Sequence, residues 1–262
     1  MAHASVPLIA LLTDFGTAGW YVACMKAVML RICPRAHLVD ISHEIPPQDI
    51  LAGAFTLAAA TSWFPPQAVF ACVVDPGVGT ARPLIAAQAD HHRFVGPDNG
   101  LLSLVLQRAK RLALVRLTNP SYWLPSISQT FHGRDIIAPV AAHLANGCPL
   151  RRLGIPIRRY RTLTLPPLKR TRQRLSGRLL YLDAFGNLIT NLPASLVTNP
   201  SGCQIRYKHT PVRVVSSYGE GRTGELVALV GSSGYVELAI RKAQAAKRYH
   251  ARRGDRVELR WI

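Results

Sequence analysis

Residues 69–83 read VFACVVDPGVGTARP. An apolar run, Val69 to Val74 around Cys72, meets a carboxylate, Asp75; a turn with Gly77 and Gly79 follows, and Arg82 closes it. A run this short suits a buried strand, and open α/β sheets bind ligands beyond the carboxyl ends of their strands. The stretch therefore predicts a central strand with an acid at its mouth. Glycine tolerates positive φ, so the loop can bring the Arg82 guanidinium back to Asp75. A phosphate loop is excluded, because GxxxxGK[ST] is absent and Arg82 stands where GxGxxG needs its third glycine. A structural Asp–Arg pair that only ties the loop fits the same residues.

Outward from this strand, the first part of the chain alternates strand and helix patterns. PLIALLT (7–13), AHLVDIS (36–42), PLIAAQA (83–89) and RLALVRL (111–117) read as strands. Helices are expected over 19–33, stopped by Pro34, and over 50–64, N-capped by Asp49, with a short one over 101–109. RDIIAPVAAHLANG (134–147) is helical in pattern, and Pro139 demands a kink or a first-turn position. Such alternation predicts a mostly parallel α/β sheet over 1–157. A basic, Pro-rich linker is expected over 158–175. Short strands separated by Gly and Asn turns then predict a small antiparallel β-barrel or sandwich over 176–262.

With 48% hydrophobic residues in 262, the chain can bury two cores. No apolar run approaches about 20 residues, so no span of a membrane is expected. The stretch SVPLIALL lacks a basic start and runs into Thr13 and Asp14, unlike a signal peptide. Five scattered cysteines without a CxxC pair read as reduced thiols, which points to a cytoplasmic protein. Net charge is +18, a balance that suggests polyanion partners. Yet the densest basic run falls in the linker, broken by prolines and with Tyr160 as its one aromatic, so nucleic-acid binding is not the expectation.

Three further stretches can carry chemistry. TFHGRDIIAP places His132 at a helix entrance, where it can handle protons or simply pack. LLTDFG puts Asp14 at the end of the first strand, positioned either to accept both hydroxyls of a ribose or to cap a helix. In the second half, DAFGNLITN offers Asp183, Phe185 and Asn187, an aromatic to stack and an amide to read a purine edge. GSSGYVELAI adds Ser232, Glu237 and Ile240 on a Gly-flanked turn and strand, although each stretch alone reads as an ordinary hairpin. Asp98-Asn99-Gly100 reads as a turn. No HExxH or similar histidine spacing suggests a metal.

Seven stretches in this order, LLTDFG, DISHEIPPQDILAGAF, VVDPGVGTARP, FVGPDNGLLS, FHGRDIIAP, DAFGNLITN and GSSGYVELA, resemble the S-adenosylmethionine (SAM) hydroxide adenosyltransferase family. These are hydrolase relatives of SAM-dependent fluorinases and chlorinases, and the likeness spans nearly the whole chain. The resemblance implies attack of water or hydroxide on the ribose C5′ of SAM, releasing adenosine and methionine, with SAM as substrate and no cofactor. It implies homotrimers whose sites lie between the N-terminal domain of one subunit and the C-terminal domain of the next, and in some members a preference for the (R)-sulfonium epimer. Residue by residue, it places catalysis on Asp75, Arg82 and His132 and the ribose diol on Asp14. Asn187, Phe185 and the backbone at Ile240 fall on the adenine side, and Asp183, Ser232 and Glu237 on the methionine part and adenosine. Whether Asp75 or His132 is the base stays open. Two other readings also remain: a polyanion- or RNA-binding protein that kept the fold without activity, and a halide-using enzyme.

Overall fold

The computed structural model describes residues 6–197 and 202–261. The chain divides into two compact units, Met1–Leu163 and Thr164–Ile262. The first is built on β1 (Leu8–Thr13), β2 (His37–Ser42), β3 (Val69–Val73), β4 (Leu84–Ala89), β5 (His92–Pro97), β6 (Leu112–Leu117) and β7 (Gly154–Pro156), in the order β2-β1-β3-β5-β4-β6-β7. The four strands from β2 to β5 run parallel, and β4, β6 and β7 pair antiparallel. The sheet is thus parallel-rich with an antiparallel margin. β5, His92–Pro97, falls where no strand was expected. The Asp98–Gly100 turn lies just beyond it, and the strand is recognisable only through its pairing with β3 and β4.

β3 is buried along its length, which explains its unbroken apolar sequence. Ile9 and Leu11 of β1 and Val69, Ala71 and Val73 of β3 pack with α1 (Tyr21–Ile32) and α4 (Ala138–Ala145). α2 (Ile50–Thr61) starts as expected at Asp49, whose side chain accepts from the Ala52 N–H at 3.0 Å. Its Gly53 lies so close to Leu101, just before α3 (Ser103–Leu106), that a Cβ would come within 2.8 Å of the Leu101 side chain. Pro139 sits in the first turn of α4, and a π-helical turn, Gly133–Ile137, leads into it. Proline cannot donate to the carbonyl four residues back. That carbonyl, of Asp135, accepts instead from the Leu124 N–H at 2.9 Å.

The second unit contains β8 (Lys169–Arg170), β9 (Arg174–Leu182), β10 (Leu188–Pro193), β11 (Cys203–Tyr207), β12 (Thr210–Val214), β13 (Leu226–Val230), β14 (Tyr235–Ile240), one helical turn α5 (Ala245–Arg248) and β15 (Arg256–Trp261). The order β10-β14-β13-β12-β11-β15-β9 closes on itself through β9–β10, so the sheet is a barrel and β8 hangs from β9. All its pairs are antiparallel except β12–β13. Tyr207, Ile205, Leu238 and Leu259 are among the side chains that fill it.

Segment 158–175, expected as a linker, is shared between the units. The Arg161 N–H bonds Asp98 Oδ1 at 2.7 Å and the Leu163 N–H bonds Ser103 Oγ at 3.1 Å. The Pro166 carbonyl instead accepts from Asn191 Nδ2 at 2.7 Å, and β8 and the start of β9 are already sheet. Among the described residues no helix is long and apolar enough to cross a membrane.

Candidate active site

β1 and β3 run parallel with Thr13 opposite Val73, so Asp14 and Asp75 leave the sheet at the same end. The Asp14 N–H donates to the Val73 carbonyl at 3.3 Å. Beyond β3 the loop folds back as its glycines allow. Thr80 Oγ1 donates to the Gly77 carbonyl at 2.7 Å, and a Cβ at Gly77 would come within 3.0 Å of Arg82 Cδ. Arg82 Nε lies 2.7 and 2.8 Å from the two Asp75 carboxylate oxygens, and its Nη2 bonds Asp75 Oδ2 as well. The pair is withdrawn from solvent, with side chains 4% (Asp75) and 11% (Arg82) exposed.

The same Nη2 stands 3.1 Å from His132 Nδ1. A guanidinium has donors only, so Nδ1 takes this bond with its lone pair, and the proton of the neutral ring sits on Nε2. Burial first, then the Arg82 charge, hold the imidazole below its usual pKa, against the opposing pull of Asp75 and Asp135. Asp135 is fully buried and anchors the approach to His132: its carboxylate accepts from the Ser128 N–H at 2.8 Å and from Arg134 Nε at 2.6 Å. Asp75 and Arg82, neighbours across one loop, and His132, 50 residues beyond Arg82, are therefore one hydrogen-bonded group.

Asp14 is tied by Oδ2 to the Gln48 N–H at 2.8 Å and stays half-buried. Behind it Thr13 Oγ1, fully buried, lies 2.9 Å from His43 Nδ1 and accepts from the Phe15 N–H at 3.3 Å. His43 Nε2 is 3.0 Å from Asp40 Oδ1, in ion-pair range but off hydrogen-bond alignment, and Lys26 holds the other Asp40 oxygen at 2.6 Å. Sequence reasoning passed over this chain of contacts, because its members come from three elements. It also read Asn99 as a turn residue alone. Asn99 Nδ2 in fact donates to the Val74 carbonyl at 2.8 Å, one residue before Asp75.

In the second unit a pocket of about 680 Å³ is lined by all six residues expected there: Asp183, Phe185, Asn187, Ser232, Glu237 and Ile240. Asp183 braces its loop by accepting from the Phe185 and Asn187 N–H groups at 2.9 and 2.8 Å and from Asn187 Nδ2 at 2.9 Å. Gly186 takes φ +79°, and a Cβ there would come within 2.7 Å of Gln244. This turn lifts Phe185 to 77% exposure at the rim. Glu237 is buried, and that burial, with help from the Asp183 charge, raises its carboxyl pKa against the bond it accepts from the Tyr218 hydroxyl at 2.6 Å. Tyr218, in a short helical turn between strands, is among the lining residues that the sequence concealed. Among the described residues no three His, Cys, Asp or Glu side chains gather as a metal cluster.

Comparison with known proteins bears on both units. The SAM hydroxide adenosyltransferase N-terminal domain matches residues 9–154 and the C-terminal domain of the same family matches residues 177–258. The chain is 39% identical over 262 residues to the (R)-S-adenosyl-L-methionine hydrolase of Salinispora tropica, covering 98% of each. Identity to a fluorinase of an Actinoplanes species is 27%, with 97% of each chain covered. A crystal structure of an uncharacterized conserved protein from Thermotoga maritima superposes with a TM-score of 0.90 at 35% identity, covering 96% of this chain and 99% of that one. With both of its domains matched and such a relative along its whole length, the chain belongs to the SAM hydroxide adenosyltransferase family.

Proposed function

We propose that the protein hydrolyses S-adenosyl-L-methionine to adenosine and L-methionine. The observation that carries this reading is the hydrogen-bonded Asp75–Arg82–His132 group at the mouth of β3, in a chain of this family similar along its length to a protein named as that hydrolase. The sulfonium is already a good leaving group and needs no proton. What the protein must supply is a water held in line with the C5′–S bond. As the water oxygen bonds C5′, the C5′–S electron pair returns to sulfur, methionine leaves as a thioether, and one water proton must be accepted.

The trio divides that work. With Nδ1 committed to Arg82, His132 offers an Nε2–H donor that orients the attacking oxygen. Asp75 is the acceptor of the group and takes the proton, while Arg82 holds its carboxylate in place and stabilises hydroxide-like charge. Asp14 accepts the ribose hydroxyls. Phe185, Asn187 and the Ile240 backbone hold adenine, and Asp183, Ser232 and Glu237 hold the methionine part and adenosine. No cofactor enters this scheme. The (R)-sulfonium epimer is the preferred substrate, the enzyme works in the cytoplasm, and the active assembly is a homotrimer in which one subunit's first unit faces a neighbour's second.

Purified protein incubated with each SAM epimer should release adenosine and methionine, faster from the (R) form. If neither epimer yields adenosine, the reading is overturned. A halide-using reaction is the second reading, favoured by the fluorinase relative. It requires halogenated 5′-deoxyadenosine to appear when fluoride or chloride is supplied.

A further inference from the structure

More than half of the 32 Lys and Arg residues lie in the second unit, which holds fewer than half of the 14 acids. The barrel gathers part of the basic run once assigned to a linker with arginines far along the chain. β9, β15 and β11 are consecutive strands. Arg174 and Arg178 on β9, Arg256 and Arg260 on β15 and Arg206 on β11 alternate with buried residues, so they share the outer face. The register sets Arg174 directly opposite Arg260 and Arg178 directly opposite Arg256. Like charges facing each other across a sheet are destabilising.

The one acid among these outward positions, Glu258, pairs with Arg256 at 2.8 Å and with Arg260 at 3.4 Å. One carboxylate cannot balance five guanidinium groups. Beside it a pocket of about 360 Å³ is lined by Arg206, Lys208, His209, Arg256, Glu258 and Arg260. The Nε–H of Arg260 is buried there with no hydrogen-bond partner among the described residues. Opposed cations and an orphaned guanidinium N–H share one remedy, an external anion.

We propose that this face of the barrel binds the phosphodiester backbone of single-stranded RNA. The planar fork of arginine matches phosphate, and arginine dominates the face. Outward positions recur about every 7 Å along a strand, so a run of phosphates can be followed where a single anion would occupy only the pocket. The Trp261 ring is covered by Arg170, and no aromatic stands among the outward positions 174, 176, 178, 204, 206, 256, 258 and 260 that carry the arginines, so bases beside them go unstacked and unread. Glu258 repels phosphate but can accept a hydrogen bond from a ribose 2′-hydroxyl, which favours ribose over deoxyribose. A membrane surface would be gripped by apolar side chains inserted beside the cations, and the face presents none.

The test is fluorescence anisotropy with a labelled mixed-sequence RNA of about 20 nucleotides, the same sequence as single-stranded DNA, and vesicles containing phosphatidylserine. RNA affinity should fall with salt at a log–log slope of about −3, the value for some four phosphates neutralised on a single strand. The Arg174→Gln/Arg260→Gln double variant should bind RNA at least tenfold more weakly at low salt, with the slope shallower by about 1.4. Its SAM turnover should be unchanged and its melting temperature equal or higher, because an opposed pair is gone. Absence of RNA binding at low salt overturns the proposal. So does DNA bound as tightly as RNA, vesicles bound more tightly than either, or a double variant with the native slope.

Discussion

Arg82 joins two groups of opposite need: its Nη2 donates both to the Asp75 carboxylate and to His132 Nδ1. Lysine carries the charge but not the fork, so Arg82→Lys should lower turnover by roughly 10²-fold or more while SAM affinity stays within about tenfold. The pH profile follows from the sign of the shift. Burial first, and then the Arg82 charge, push the imidazole pKa down, so the neutral ring persists below the ordinary value of about 6.5. Activity should hold there and fall only as pH drops through the depressed value. In Arg82→Gln the charge's share of that push is gone while burial remains, and the His132 ring, followed by NMR titration, should take its proton at higher pH than in the native protein. An unmoved titration means Arg82 does not set the protonation of His132. Replacing His132 or Asp75 by Ala should cost roughly 10²–10⁴ in turnover, the scale of a positioned acid–base group.

At the scale of elements, the site depends on two loops that nearly touch. Gly79, in the loop that carries Arg82, has φ +79°, and a Cβ there would lie 2.6 Å from the Gln129 carbonyl oxygen on the approach to His132. Backbone cannot give way as a flexible side chain can. Gly79→Ala should therefore cost about 1–3 kcal/mol in denaturant unfolding and reduce turnover as well. Gly147, with φ +86° and nothing within 4 Å of a Cβ, is the control. Gly147→Ala should cost about 1–2 kcal/mol from left-handed backbone strain alone and leave turnover intact. Equal losses of turnover in both would show that the loop contact is irrelevant to the trio. Helix boundaries were legible from local chemistry, as at Asp49 and Pro139. β5 was not, because a strand that completes a sheet owes its form to neighbours far away in sequence.

At the scale of the molecule, the trio and Asp14 belong to the first unit, whereas Asn187, Ser232 and Glu237 belong to the second. If the proposed trimer completes each site from two subunits, lesions in different units can complement. His132→Ala and Asn187→Ala chains, mixed and exchanged by reversible dissociation, should regain activity above either parent, because some sites then carry neither lesion. Activity of the native protein should also fall on dilution below the dissociation constant of the assembly. Well-mixed hetero-oligomers as inactive as their parents would rule out the shared site.

By itself the sequence determined the α/β class of the first unit and a small β-strand class for the second, the strand-end position of Asp14 and Asp75, and the loop that allows Arg82 to return, since these rest on hydrophobic period, turn residues and chain-local geometry. Barrel rather than sandwich was decided by the pairing of β9 with β10. Seven ordered motifs, far more specific together than singly, also carried the family. Tertiary structure alone decided that His132 accepts from Arg82, that Thr13 leans on His43, that Tyr218 bonds Glu237 and that arginines of β9 and β15 face one another. Each is a contact between residues distant in the chain. Strand order and register bring such residues within a few ångströms, and no local pattern encodes them.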